Sequence, residues 1–439
     1  MNKTLAVYGG FGLFVVLQLI AVMMIGGDSN EVMKYIVFSN LFVLLLVIFL
    51  DSFGLFCILL AWFPFSFGLL KFELGIITFT PYTMGMTLLA FLSVYLRLSK
   101  GKKYGTTKID VIIFFLCLSF LISTLLSNNL VQSGFFAFHA LFVPVVSYFC
   151  VKNMVVSEKQ YLQSFLFLMA GVVLFGVLAI SPFGRGYSEG RLTIFEMPPI
   201  SAAAILIWAI ISLFILQWVK TIYGKISLVI VFVGFVRTLS KGYFAILLMS
   251  PLVNRIIRRG NANSLMKGFF VLSLVLTLMM AFFSTGYKHI DIEAEEDKSI
   301  DRVLNVDHWV HSFTGRGAYY LDGFKQFPKN PIFGVGAYKG DYAVVRHNFH
   351  VEWLEYGGLS MYLLYSSLFI IHFKSMGPYA RYDKYIRANL VLILIFILNG
   401  LFNSFTVGSA PVMTYILFGF NEARRRMYLR GDLQKPNNI

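Results

Sequence analysis

Apolar runs of about twenty residues recur along this chain from one end to the other, and each is long enough to cross a hydrocarbon core about 30 Å thick as a helix. The runs are continuously apolar and do not alternate in the ~10-residue pieces of a membrane barrel, so helices are the expected spanning element. Only 13% of the residues are charged, about half the roughly 25% of soluble domains. A soluble globule is excluded. The first run, Leu5 to Ile25, lacks a small-residue cleavage site and is read as a retained helix.

The formal charge of +15 would suit a nucleic-acid binder, but its placement argues otherwise. The basic residues sit in short connectors, among them Arg97 to Lys108, Lys220 and Lys225, Arg255 to Arg259, Lys374 to Arg387, and Arg424 to Arg426. Such clusters mark the cytoplasmic side. Setting every one inside yields about fourteen spans with both termini cytoplasmic, near 5–25, 35–50, 54–70, 81–97, 109–126, 135–151, 161–181, 199–218, 222–238, 241–257, 266–284, 350–372, 387–406 and 409–421. Asp51 and the Trp62-Phe63-Pro64 kink leave room for a broken helix across the second and third spans. The expected class is an all-α integral membrane protein. Residues 1–284 carry the first eleven helices, 285–349 form one long extracytoplasmic loop with short helices, and 350–439 carry the last three helices and a basic C-terminus. Nine of the 22 acids fall in the 285–349 loop, an acidic outside to match the basic inside. Cys57, Cys117 and Cys150 all lie in apolar runs and read as core thiols.

Three polar insertions carry the chemistry. One interrupts 222–257 at Arg237-Thr-Leu-Ser240-Lys241-Gly242. A single helix through it would put Arg255, Arg258 and Arg259 outside, so two helices meeting there are predicted. Arg237 and Lys241 then lie near the outer membrane face, where cations at depth point to function. The second insertion, 182–198, holds Arg185 and Arg191, which either guide an anionic glycan or balance Glu189 and Glu196. The third runs from Thr314 to Leu359. There Thr314 caps a short helix starting near Arg316, with Asp322 and Lys325 on its wet side and Tyr320, Phe324 and Phe327 on one apolar face. Pro328 and Pro331 end it, and Gly334-Val335-Gly336 allows a close backbone approach to something bulky. His347-Asn348 follows at the lip of the next span, with Glu352 and Glu355 one and two turns inward.

Arg316, Lys241 and Arg237 suit a diphosphate through charge-assisted hydrogen bonds. His347 is of a type able to take a proton from an attacking hydroxyl. The plainer alternatives are an interfacial histidine satisfied by backbone and, for Arg316, a headgroup anchor. His308/His311 and His347/His350 are pairs at i, i+3 that invite a zinc reading, but no HExxH is present and no cysteine joins them. The site is expected to hold no metal and no cofactor.

The ordered set Arg316, Asn330-Pro331, Gly334-x-Gly336, His347-Asn348 and Gly357-Gly358-Leu359 resembles the O-antigen ligase and polymerase family of bacterial membrane glycosyltransferases. Upstream, Thr238-Leu-Ser240-Lys241-Gly242 resembles that family's Ser-Arg element, with Lys241 where the family usually has arginine. A lysine keeps the charge and loses the bidentate fork, which Arg237 one turn earlier can supply. The resemblance covers roughly residues 235–360. It implies a GT-C-like helical fold and glycan transfer at the outer face of the bacterial inner membrane. The implied donor is a glycan on undecaprenyl diphosphate. The acceptor is either another lipid-linked repeat unit, for a polymerase, or lipid A-core, for a ligase. His347 and Arg316 would be catalytic, Lys241 and Arg237 diphosphate-binding, and Arg185, Arg191, Asn348 and Gly336 would contact substrate. Membrane lipid and a chain-length regulator protein are the other implied partners. A lipid-oligosaccharide flippase is the rival class, but such transporters commonly show two related halves, whereas the polar residues here gather in one late loop.

Overall fold

The computed structural model describes residues 52–66, 72–74, 77–99, 106–181, 185–188, 191–194, 199–238, 240–283, 317, 319–336, 338–339, 342–343, 347–401 and 409–434. The spans expected at 5–25 and 35–50 lie outside them. From 54–70 onward, each expected span contains a helix. These are α1 (Ser52–Trp62), α2 (Pro81–Ser99), α3 (Lys108–Leu125), α4 (Leu130–Met154), α5 (Glu158–Ile180), α6 (Pro199–Ile215), α7 (Ile222–Arg237), α8 (Lys241–Arg258), α9 (Ala262–Phe283), α10 (Phe349–Ala380), α11 (Lys384–Asn399) and α12 (Ser409–Arg430). Among the described residues, five of them (α3, α4, α5, α9 and α10) are long and apolar enough to cross a membrane. The break expected at Pro64 is present, since α1 passes into a 3-10 turn over Phe63–Phe65. In α4 the turn Phe138–Phe142 is π-helical.

Helix starts are set by side chains that take up orphan backbone N–H groups. Thr107 and Asp110 form a reciprocal capping box at α3. Ser157 accepts from the Gln160 N–H at α5, and Thr221 from that of Gly224 at α7. Asp383 accepts from Tyr385 and Ile386 at α11. The connectors add three short antiparallel hairpins that an all-α expectation did not contain. They are β1 (Phe72–Leu74) with β2 (Ile77–Phe79), β3 (Arg185–Ser188) with β4 (Arg191–Ile194), and β5 (Tyr338–Lys339) with β6 (Tyr342–Ala343). In the second, the register runs from Arg185 opposite Ile194 to Ser188 opposite Arg191.

The chain divides into two compact units. The first comprises residues 1–103, 146–239 and 419–439. Its centre is α1, buried on all sides from Gly54 to Trp62 and packed along α5. Gly171 makes that crossing possible, because a Cβ there would stand 2.0 Å from the Ala61 carbonyl oxygen. The second unit comprises residues 104–145 and 240–418. In it α10 packs against α3, α9 and α11, and α8 packs against α11. Phe114, Leu121, Leu125, Val271, Leu272 and Phe282 are exposed on α3 and α9. On a soluble surface such a band would be an interaction patch or a liability; on helices of this length it is the lipid-facing side.

Candidate functional site

The site is organised by a break in α10. Gly358 has φ 62° and ψ −160°, a conformation reserved for glycine. It splits α10 into a short segment ending at Tyr356 and a long one starting at Leu359. Such a break strands carbonyls on one side and N–H groups on the other, and an unpaired backbone group in hydrocarbon costs several kcal/mol. The segment 331–336 satisfies both sets. Val335 N–H donates to the Glu355 carbonyl (2.8 Å) and Gly336 N–H to that of Tyr356 (3.1 Å). In return Leu359 N–H donates to the Pro331 carbonyl (2.8 Å) and Ser360 N–H to that of Ile332 (3.0 Å). The Ser123 hydroxyl also donates to the Tyr356 carbonyl.

The glycines are what allow this approach. Gly334 and Gly336 have φ of 73° and 80°. A Cβ on Gly334 would lie 2.4 Å from the Tyr356 carbonyl, and one on Gly358 2.5 Å from that of Ile332. The bulky object that Gly334-Val335-Gly336 approaches is therefore the helix itself. Gly336, expected at the substrate, directs its N–H to Tyr356 and its α-carbon toward Ser127.

Asn348 is also corrected by its surroundings. It is 1% exposed and is the N-cap of α10. Its Oδ1 accepts from the His350 N–H (3.0 Å) and the Val351 N–H (3.3 Å). Its Nδ2 donates to Thr277 Oγ1 (3.0 Å) and to the Leu401 carbonyl (3.1 Å). Both lone-pair directions and both N–H groups are taken, so the amide has no valence left for a sugar. Its role is to pin the start of α10 to α9 and to the end of α11. Replacing it with alanine removes a cap and takes a donor from Thr277 Oγ1 and from the Leu401 carbonyl, the latter keeping the Tyr320 hydroxyl, for an expected loss of about 2–4 kcal/mol. Thermal unfolding in detergent checks this, with Asn348→Asp, which keeps the cap alone, expected in between. Unchanged melting together with weakened glycan binding would return Asn348 to the substrate.

His347 stands just before that cap. Its φ is 55°, a left-handed conformation uncommon for residues other than glycine but several-fold enriched in histidine. The fully buried Tyr320 hydroxyl lies 3.1 Å from the Leu401 carbonyl and 3.4 Å from the His347 carbonyl. The half-buried imidazole meets the Tyr319 ring edge-on at 6.3 Å. The histidine thus occupies a strained position held from several sides, the kind of backbone that clusters at functional sites.

The short helix predicted after Arg316 is helical over 319–326. Its wet and dry faces fall as expected, with Asp322 and Lys325 exposed, Tyr320 buried against Ala281 and Val351, and Phe324 packed on the same cluster. Arg316 and Thr314 themselves lie outside the described residues.

The other expected residues are placed as follows. α7 ends at Arg237 and α8 begins at Lys241, so the two-helix reading of 222–257 holds. Arg237 donates from Nη1 to the carbonyls of Ile180 (2.9 Å) and Ala179 (3.4 Å). It thereby closes the C-terminus of α5, which commits one nitrogen of its guanidinium to the protein. Lys241 is the first residue of α8, where Ser240 supplies no side-chain cap. A cation there is unfavourable beside the helix dipole, and an anion would be favoured by both. Lys241 and His347 belong to the second unit and Arg237 to the first. Arg185 pairs with Ile194 at the open end of its hairpin, and Arg191 pairs with Ser188 beside the turn.

The second imidazole pair does not share a helical face, since His347 precedes the helix that His350 belongs to. His350 is wholly buried, with Nε2 2.7 Å from Ser273 Oγ and Nδ1 3.0 Å from the Tyr362 hydroxyl. His308 and His311 lie outside the described residues. Sequence reasoning passed over Ser273 and Thr277, the α9 partners of His350 and Asn348. Their signal was a polar pair four residues apart inside an apolar run.

The matched family covers this arrangement. Residues 226–362 match the O-antigen ligase family model. No curated protein matches the chain. The matched segment runs from within α7 through α8, α9 and the polar loop to Tyr362. It therefore includes Arg237, Lys241, both glycine elements, His347, Asn348 and the partners of His350. The motifs from which the resemblance was drawn fall within or beside this match, and the long apolar helices suit a membrane protein.

Proposed function

We propose that the chain is a polysaccharide polymerase that transfers a glycan from undecaprenyl diphosphate to a sugar hydroxyl of a second lipid-linked repeat unit. The reading places the reaction at the outer face of the inner membrane, with both chain termini cytoplasmic and 285–349 as the extracytoplasmic subdomain. The observation that carries it is His347, set in a strained left-handed conformation directly before a cap that is itself tied to two other helices, within the O-antigen ligase segment.

The reaction is an in-line displacement at the anomeric carbon. The acceptor oxygen forms the new bond to that carbon while the bond to the diphosphate oxygen breaks, and the electron pair leaves with the phosphate. His347 takes the acceptor proton and returns it to water. Arg316 and Lys241 stabilise the departing diphosphate charge. The diphosphate is a good leaving group, so the step needs no metal in principle. Arg185 and Arg191 would guide the glycan, and a chain-length regulator is the natural protein partner.

The ligase reading, with lipid A-core as acceptor, is favoured by the description of the matched family as O-antigen ligase. Deleting the gene and examining the surface glycan separates the two. Loss of a polymerase leaves single-repeat caps on the lipopolysaccharide, the expected result. Loss of a ligase leaves bare core and stranded lipid-linked polymer. Unchanged glycan in both respects would sink both readings.

A further inference from the structure

Within the first unit, α5 and α7 pack side by side, with small residues at their contact toward one end. Toward their C-terminal ends a Cβ on Gly176 would stand 3.2 Å from Ile230, and one on Gly234 3.3 Å from Ala179. These small residues let the two backbones approach. Arg237 adds its hydrogen bond to the Ile180 carbonyl at the same end. Toward their N-terminal ends the helices part around Trp218, which packs edge-on against Phe165 at 5.8 Å.

The gap is an apolar groove of about 640 Å³. One stripe of α5 lines it, from Leu166 through Ala170 and Val173 to Val177, with Tyr223 and Ser227 opposite on α7. From Leu166 to Val177 a helix rises about 16 Å, half of a hydrocarbon core about 30 Å thick. The groove is therefore as long as one leaflet is deep. Its wide end lies beside Thr221 and Gly224, whose chain neighbours Lys220 and Lys225 are both exposed. No aspartate or glutamate occurs anywhere in 199–241. At the start of α5, Glu158 is engaged by Arg424 at 3.6 Å, while Lys159 is exposed. An apolar slot one leaflet deep thus opens beside lysines with no acid on its own hairpin to neutralise them.

We propose that this groove is a binding site for an anionic phospholipid, with one acyl chain along α5 and the headgroup phosphate between Lys220 and Lys225. The lipid belongs to the leaflet on the side of the α5 and α7 N-termini, at the end of α7 opposite Arg237. This separates it from any diphosphate held near the 237–241 break, and the site is independent of the catalytic reading. An occupied groove would splint α5 against α7 where their own side chains do not meet.

The test uses the full chain in nanodiscs containing equal amounts of phosphatidylglycerol and phosphatidylcholine, one of the two carrying a photoreactive acyl chain in each experiment. Adducts are mapped by peptide mass spectrometry. Phosphatidylglycerol is expected to label 166–177 and 218–227 about thirtyfold more than phosphatidylcholine, as each of the two lysines near an anionic headgroup contributes about 1 kcal/mol. The surface double variant Lys220→Gln/Lys225→Gln should abolish the preference while leaving labelling by both lipids. Ala170→Trp, with Leu166→Trp as a second filling variant, should remove labelling of these peptides in protein that still elutes as a folded species. Equal labelling by both lipids in the wild type would overturn the proposal. So would adducts confined to other segments, or displacement of phosphatidylglycerol by an equal mole fraction of undecaprenyl phosphate.

Discussion

Replacing His347 with asparagine is expected to lower glycan transfer about 10²–10⁴-fold, the contribution of a general base, while the protein remains folded in the membrane. Asparagine is the informative replacement because it tolerates the left-handed backbone that His347 adopts at φ 55°. The seat formed by Asn348, Tyr320 and Leu401 should therefore survive without an imidazole on it. Alanine at the same position removes the base too, but adds backbone strain of about 1 kcal/mol or more. The measurement pairs product formation from a lipid-linked donor in washed membranes with thermal unfolding of the purified variants. Activity should collapse in both variants, and stability should fall only in His347→Ala. Full activity in the asparagine variant would remove the base assignment and leave His347 as an interfacial residue.

The second large effect is on the fold. Gly358→Ala places a Cβ 2.5 Å from the main chain of Ile332 in a backbone conformation open only to glycine. The side chain cannot turn away from a backbone atom, so the loop 331–336 must lift off α10. The four main-chain bonds that close the helix break then open, stranding carbonyls on one segment and N–H groups on the other. Little folded protein is expected in detergent extracts, and none of it active. Gly431→Ala is the matched control, since Gly431 also has a positive φ, 82°, but nothing within 4 Å of its would-be Cβ. That variant should lose only the stability that the added local strain costs, about 1–2 kcal/mol. Equal stability of the Gly358 variant and the wild type, measured by size-exclusion chromatography and melting, would show that the broken helix is dispensable.

Several elements were legible because they follow from transfer energies and charge counts. The break between α7 and α8 came from asking where Arg255, Arg258 and Arg259 must lie, and the helices end and begin at Arg237 and Lys241. The Pro64 interruption and the two faces of the 319–326 helix were readable from local pattern in the same way. The roles inside the polar loop were not. Gly334 and Gly336 read correctly as an invitation to close approach, but glycine says nothing about what approaches. Asn348 read as a sugar-binding amide, and only its four partners reveal a cap and a clamp. His350 invited a zinc reading that the motifs did not support, but its actual partners, a serine from α9 and a tyrosine one helical segment on, could not be named from the sequence.

By itself, then, the sequence determined the membrane habitat, the helical class and the place where polar groups gather, because hydropathy and charge act residue by residue whatever the neighbours are. The tertiary structure decided what those polar groups do. A hydrogen bond exists only where donor and acceptor come within about 3 Å, and which backbone comes that close to Gly336, Asn348 or His347 is settled by the packing of α9, α10 and α11 around the break at Gly358.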